Sequence, residues 1–358
     1  MGGLVFTLDI DGKKYSSDKS WQARDPKAEW TSAVEIKKYG AAPWGNVFAK
    51  KKAPAVVAKA PTTQAVTTLP GFKAEKIYTV DSKTQGSWVG LCSDNKGRLI
   101  ACDQYGGIFR ITLGGNKPQV EKLNVKVSHA HGVLYAFGSL YVINNEKDPK
   151  GLYRLTDTNG DDQYDKEEHL IQFKTRGEHG IHSAVLSPDK KSIYLIGGNN
   201  TDQPDYINKY RMAKNWSEDH ILPRMADGRG HNRGRLAPGG LILKVSPDGK
   251  DRELIAHGFR NQFDAGFTLE GELFTYDADM EYDIGSPWYR PCRVNHVVSG
   301  ADYGWRHGSG KWPEYYTDTV PTTIDIGPGS PTGTVMGTGA KFPEKYQRSY
   351  FINDWTYG

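Results

Sequence analysis

The chain has 358 residues, enough for a large core and more than one domain. Its 46 basic and 42 acidic residues leave a net charge of +4, a near balance that makes no electrostatic case for a nucleic-acid partner. No run of about 18 apolar residues occurs, so no transmembrane helix is encoded, and 41 glycines with 20 tyrosines among short β-branched runs predict an all-β protein rich in turns.

In chain order, residues 1–48 read as the C-terminal part of a β-sandwich. Two strand-like runs, Leu4–Ile10 and Lys13–Ser17, flank Asp11-Gly12, a two-residue hairpin signal. Ser20-Trp21 and Tyr39-Gly-Ala-Ala-Pro-Trp-Gly45 resemble the closing strands of the galactose-binding jelly rolls attached to bacterial glycosidases. Met1-Gly-Gly-Leu lacks a basic n-region and reads as strand, so export would need a leader upstream. Residues 49–69 have a lysine triplet, Ala-Pro-Ala and a threonine-rich run with no apolar period, the composition of a solvated linker. Cys92, Cys102 and Cys292 make no disulfide framework, and the thiols at 92 and 102 flank one predicted hairpin. No Cys-x-x-Cys-His occurs, so this segment does not itself attach a c-type haem.

From residue 70 to 358 one unit recurs: an apolar strand, a turn with Gly or Asp, a second apolar strand and commonly a third. Copies begin at Trp88, His131, His182 and Asp264, and another opens near Phe342. Such repeats, alternating with period two, are the mark of propeller blades, each of which buries its faces only against its neighbours. The turn residues Gly97 and Gly138 lie 41 apart, Gly138 and Lys191 lie 53 apart, and Lys191 and Gly271 lie 80 apart. The excess belongs to inserted loops, at about 200–235 and 280–330, where binding residues collect on rigid β scaffolds. The chain ends inside a blade at Asn353-Asp-Trp-Thr-Tyr-Gly, which predicts an incomplete C-terminal end.

Several segments carry candidate chemistry. Glu178-His179-Gly-Ile-His182 precedes an inner strand, so a histidine there points into the central funnel and suits proton abstraction near neutral pH. A structural hydrogen bond at a strand start is the competing reading. His257-Gly-Phe-Arg260-Asn261-Gln-Phe-Asp264 also precedes an inner strand, and its guanidinium fork and amide suit a planar, anionic, oxygen-rich ligand. An Arg260–Asp264 pair stitching two blades is the alternative. Asp277, Asp279, Glu281 and Asp283 alternate along an extended segment, a geometry for Ca2+, with Arg290 and Arg293 as rival partners and glycoside processing as a further reading. Asp157, Asn159, Asp161, Asp165 and Glu168 follow the ligand order of an EF-hand loop, although no helix flanks them, which leaves a structural Ca2+ loop between strands and a solvated acidic turn as the two readings. Arg224, Arg229, His231, Arg233 and Arg235 gather in one insertion without the aromatics of a single-strand nucleic-acid platform.

Taken together, Glu178-His179 with Ser187-Pro-Asp189, His257-Gly-Phe-Arg260-Asn261 with Gly271-Glu-Leu-Phe, and Gly300-Ala-Asp-Tyr-Gly-Trp305 resemble the soluble pyrroloquinoline quinone-dependent glucose/sorbosone dehydrogenases. The stretches Asp277–Asp283, Pro287-Trp-Tyr-Arg-Pro and Arg293–Trp305 are more similar still to exported planctomycete-type membrane-bound dehydrogenase proteins, in which a propeller precedes helical repeats and a c-type haem domain. The resemblance covers roughly residues 70–358. It implies a six-bladed β-propeller, here truncated, and a periplasmic or extracellular oxidoreductase of a sugar or polyol that passes electrons to a haem domain. It implies His179 as general base, Arg260 beside the quinone carbonyl, Asn261 as a cofactor contact, and Ca2+ over the quinone to raise its electrophilicity. The chain departs from the family at Asp279-Met280, where the family offers Gly-Pro carbonyls to Ca2+, and it lacks the later basic residues that clamp the quinone. A non-catalytic propeller that binds carbohydrate or protein is the competing function.

Overall fold

The protein is described by a computed structural model covering strand backbone within residues 7–32, and residues 68–115, 117–212, 234–235, 237–279, 290–306, 317 and 319–356. The chain divides into two units, Met1–Ala74 and Glu75–Gly358. In the first, β1 (Thr7–Ile10) pairs antiparallel with β2 (Lys13–Ser16), Ile10 opposite Lys13, as the Asp11-Gly12 signal predicts. A second short pair joins β3 (Gln22–Ala23) to β4 (Thr31–Ser32). The jelly-roll motif at Tyr39–Gly45 and most of the 49–69 linker lie outside the described residues.

The second unit is an array of four-stranded antiparallel sheets in a propeller-like arrangement. The first holds β5 (Trp88–Ser93), β6 (Leu99–Asp103), β7 (Ile108–Thr112) and β8 (Gln119–Lys122) in sequential order. The next holds β9 (Ala130–Ala136), β10 (Ser139–Asn144), β11 (Gly151–Thr156) and β12 (Lys166–Gln172). In the third, β13 (Ile181–Leu186), β14 (Ile193–Gly197), β16 (Gly240–Val245) and β17 (Arg252–Phe259) run antiparallel, and the short β15 (Lys209–Tyr210) adds parallel to β17. The fourth holds β18 (Ala265–Phe267), β19 (Leu273–Asp277), β20 (Cys292–Val297) and β21 (Ile324–Gly327). A pair, β22 (Pro331–Met336) with β23 (Tyr350–Asp354), begins a fifth. Six blades are therefore more than the described residues hold.

Period-two alternation explains why these segments stack. Leu140 and Val142 on β10 face one core cluster, while Tyr141 and Ile143 face the next. All four are buried, so the strand reads as a continuous apolar run rather than a half-polar one. The third sheet repeats this, Leu195 and Leu243 facing back and Ile196 and Ile242 facing forward. Cys102 and Cys292 are buried free thiols and Cys92 is half-buried, and burial pushes all three up to about 12.

First strands of successive sheets lie side by side: β5 packs on β9, β9 on β13, β13 on β18 and β18 on β22. Close approach needs a missing side chain. A Cβ at Gly132 would overlap the His182 carbonyl oxygen and lie 3.0 Å from the Ser183 Cα. The tight turns between first and second strands place Gly97 at φ +74 and Gly138 at φ +69, whereas the β13–β14 turn takes the same left-handed step at Lys190, φ +54. After each outer strand the chain crosses to the inner strand of the next sheet. Those crossings carry the site.

Candidate functional site

Residues 173–180 cross from β12 to β13 and end in a single tight turn, Gly177–His179. His179 is 4 % exposed, and its Nδ1 lies 2.9 Å from the Asn199 Oδ1. The Asn199 backbone N–H donates to the Arg260 carbonyl at 2.8 Å, and the Asn200 N–H donates to the His179 carbonyl at 2.8 Å. Arg235 closes the rear, donating through Nε to the Asn199 carbonyl at 2.9 Å while pairing with Asp202 at 2.7 Å. The Asn199 side chain thus holds an imidazole, and its backbone holds the neighbouring crossing. Its own Nδ2 is buried without a hydrogen-bond partner.

Residues 260–264 cross from β17 to β18. Asp277, at the end of β19, receives the N–H groups of Asn261 (2.8 Å), Arg260 (3.1 Å) and Ala278 (3.0 Å). It also receives an Arg293 NH2 donor at 3.0 Å. The Arg260 guanidinium approaches the Asp279 carboxylate at 3.9 Å. The Asn261 amide is fully oriented: its Nδ2 donates to the Glu178 carbonyl at 3.1 Å, and its Oδ1 lies 2.8 Å from His182 Nε2. His182 in turn stacks on Phe263 at 4.8 Å and meets the His131 ring of β9, Nδ1 to Nδ1 at 3.4 Å. One hydrogen-bonded network therefore joins His131, Glu178, His179, His182, Asn199, Arg260, Asn261 and Asp277, drawn from three consecutive sheets.

Burial sets the electrostatics. It lowers His131 to about 4 and His182 to about 3, the latter helped by its neighbouring histidines and opposed by the Asn261 carbonyl, so both rings are neutral near pH 7. Asp264, expected as a partner of Arg260, instead accepts from the Ser183 hydroxyl at 2.6 Å and the Thr334 N–H at 3.3 Å. Burial pushes it up to about 6. Because the Asn199 oxygen accepts from His179 Nδ1–H, the lone pair of that ring stands on Nε2, the arrangement of a general base.

The candidate cation ligands are placed less favourably. Every oxygen of Asp277 already receives an N–H, so at Asp277 arginine, not a metal, is the partner in place. In the acidic loop, Asp157 accepts the Gly160 and Asp162 N–H groups, Asn159 that of Asp161, Asp161 that of Gln163, and Asp165 that of Thr158. Glu168 stands on β12, bonded to Arg154 at 2.8 Å. Asp162, at the position where an EF-hand has glycine, adopts φ +71 and clamps Arg98 of the preceding sheet at 2.8 Å. Among the described residues no three His, Cys, Asp or Glu side chains converge as a metal site requires. Glu281, Asp283, Arg224, Arg229, His231 and Arg233 lie outside the described residues.

No family model matches the chain, and no curated protein matches it. Among solved structures it is similar to the PQQ-bound form of an aldose sugar dehydrogenase from Streptomyces coelicolor, at 17% identity over 70% of this chain and 71% of that one, with a TM-score of 0.47. It is similar also to an oxidoreductase (glucose dehydrogenase) of Thermus thermophilus, at 17% identity over 69% and 73% of the two chains, TM-score 0.45. The PQQ domain of a pyranose dehydrogenase from Coprinopsis cinerea gives 12% identity over 71% and 68%, TM-score 0.46.

Sequence reasoning missed Asn199 and the role of His131, which it read only as the start of a repeat. Two signals were present. His131-Gly132 and His182-Ser183 open consecutive inner strands alike, and Asn144-Asn145 and Asn199-Asn200 close consecutive second-strand segments alike. Asn145 repeats the task of Asn199 one sheet earlier, donating to the Gly177 carbonyl at 2.7 Å and accepting the Ile181 N–H at 3.1 Å.

Proposed function

We propose that this chain is the propeller of an exported, quinone-dependent oxidoreductase of a sugar or polyol, six-bladed when whole, that delivers electrons to a c-type haem domain. The observation that carries the reading is the junction at Asn199, which ties the ring of His179 and the backbone of Arg260 into one rigid unit. In this reading His179 Nε2 takes the proton of a substrate hydroxyl, and Asn199 fixes the tautomer that makes this possible. The Arg260 guanidinium would hold an electron-rich oxygen of pyrroloquinoline quinone, and the buried, unpartnered Asn199 Nδ2 is a second N–H donor suited to the same oxygen-rich group. The quinone, when bound, supplies a two-electron acceptor for the carbinol carbon. Asn261 holds the network through both ends of its amide and, with a second N–H and a second lone pair left, serves as a cofactor contact in the same reading.

Ca2+ belongs to the proposal only at residues 157–165, since Asp277 does not fit a cation. Melting with Ca2+ and with a chelator tests it; a chelator-insensitive melting temperature removes Ca2+ from the reading. The second reading, a non-catalytic carbohydrate- or protein-binding propeller, draws on the neutral, hydrogen-bonded state of His182, which suits structural work. Reconstitution with pyrroloquinoline quinone and Ca2+ separates the two. Sugar-dependent bleaching of the bound quinone, lost in His179→Ala but with quinone uptake kept, is the expected result. Absence of quinone uptake under saturating conditions would leave only the binding propeller.

A further inference from the structure

The histidine pair at the head of β9 and β13 carries more than packing. The Glu178 carbonyl can only accept, so the Asn261 atom bonded to it is Nδ2, and the atom facing His182 is therefore Oδ1. An amide oxygen only accepts, so His182 carries its proton on Nε2. The neutral ring then presents a bare Nδ1 to His131, 3.4 Å away. His131 must supply the proton of that contact from its own Nδ1. The lone pair of His131 is thereby fixed on Nε2. That atom lies 3.9 Å from the Glu146 carboxylate, too far for a direct hydrogen bond, and makes none with any described residue. Glu146 is itself held by the Asn145 amide at 3.3 Å. The Glu146 oxygen nearest Nε2 is the one that takes the Asn145 N–H, so two acceptors stand side by side and the imidazole nitrogen is the one left without a donor among the described residues.

We propose that His131 is a positioning residue of the axial site, presenting Nε2 as a preset acceptor beside Glu146 for the hydroxyl donors of a vicinal diol in the substrate. The assignment rests on the sugar or polyol reading above and names a part of the site that fixes how the substrate lies. The chain of donors runs one way, His131 to His182 to Asn261 to Glu178, so a change at either end resets the tautomer at the other. His131 takes no proton from the reacting carbon; its task is recognition.

The test is two-bond 1H–15N correlation of the whole chain labelled in histidine, signals being assigned by His131→Gln and His182→Gln. At pH 7.5 His131 should read as the Nδ1–H tautomer and His182 as Nε2–H, and Asn261→Leu should abolish the His182 preference. A proton on His131 Nε2 overturns the proposal without touching the role of His179. Glucose, as probe, should move the His131 Nε2 signal toward the hydrogen-bonded range and leave His257 unmoved. Glucose binding should weaken about tenfold in His131→Leu, the loss of one hydrogen bond, and recover in His131→Gln, whose amide again offers both a donor and an acceptor. Sugar oxidised by the reconstituted protein with no movement of His131 sinks the proposal and spares the function. If the tautomers hold and no sugar perturbs any histidine, the sugar reading falls and takes the diol assignment with it.

Discussion

Asp277 and Arg293 stand directly opposite each other on β19 and β20, 3.0 Å apart and both shut off from solvent. The carboxylate also collects three backbone N–H groups from the 260–261 crossing and its own chain, so one residue anchors both an ion pair and the segment that carries Arg260 and Asn261. Removing one partner of a buried pair leaves an uncompensated charge. Asp277→Ala should lower unfolding free energy by about 3–5 kcal/mol in urea titration. Asp277→Asn keeps acceptor oxygen for the crossing yet still strands the guanidinium, so it should lose most of that amount. If either variant unfolds within about 0.5 kcal/mol of the parent, the level ordinary for a surface change, the pair is not the anchor described here.

The orienting group on His179 is an amide where a carboxylate would give a stronger base. Asn199→Asp places a negative charge at 2.9 Å from Nδ1 and should raise the proton affinity of the ring. The aromatic proton of His179 should titrate at higher pH in the variant, and the acid limb of any hydroxyl-oxidation profile should move the same way. Asn199→Leu removes the tautomer lock and should lower turnover by about 10²–10⁴-fold, the usual worth of a positioned general base. An unchanged titration in Asn199→Asp would show that the two side chains do not meet in solution.

Stability should depend on pH in two opposed ways. His131 and His182 are lowered to about 4 and about 3, and His257 to about 4, by burial. The unfolded chain takes up those protons near about 6.5, so their contribution is whole above that value and is lost as pH falls toward 4. Asp264 is raised to about 6, against about 3.9 unfolded, so its contribution is present below about 4 and is lost as pH rises through 6. Three histidines outweigh one aspartate, and urea unfolding should show stability rising between pH 4.5 and 6.5. Asp264→Asn, which can still accept from Ser183 and Thr334, should steepen that rise, and His182→Gln should flatten it. A flatter slope in Asp264→Asn contradicts the burial assigned to that carboxyl.

Much of this was legible in the sequence because a blade is a local object. Short apolar runs bounded by Gly97, Gly138 and Gly271 announce their own strands, and the Asp11-Gly12 turn announces its hairpin. His179 and Arg260 were legible because each precedes an inner strand, where a crossing must deliver it near the axis. The partners were not. Asn199 meets His179 across 20 residues, His182 meets Asn261 across 79, and His131 meets His182 across 51. Such pairs are set by how sheets stack, which no local pattern encodes. The carboxylates stayed open between Ca2+ and Arg290 or Arg293 for the same reason: alternation along an extended segment puts Asp277 and Asp279 on one face, but only the opposing strand decides that Arg293 meets the first.

The stacking itself can be tested at one residue. Gly132 lies where β9 meets β13, and a side chain there would strike the backbone of His182 rather than a movable side chain. Gly97 sits in a turn with open space around it, and only its φ of +74 resists substitution. The two glycines therefore separate packing from conformation. Gly97→Ala should cost about 1–2 kcal/mol, the price of the left-handed step, with the histidine spectra unchanged. Gly132→Ala should cost about 3 kcal/mol or more, since backbone must move to relieve the overlap. It should also part the His131 and His182 rings, scrambling both tautomers together. Should Gly132→Ala be as mild as Gly97→Ala and leave both rings coupled, the inner strands do not approach as closely as the fold requires, and the network built on their proximity fails with it.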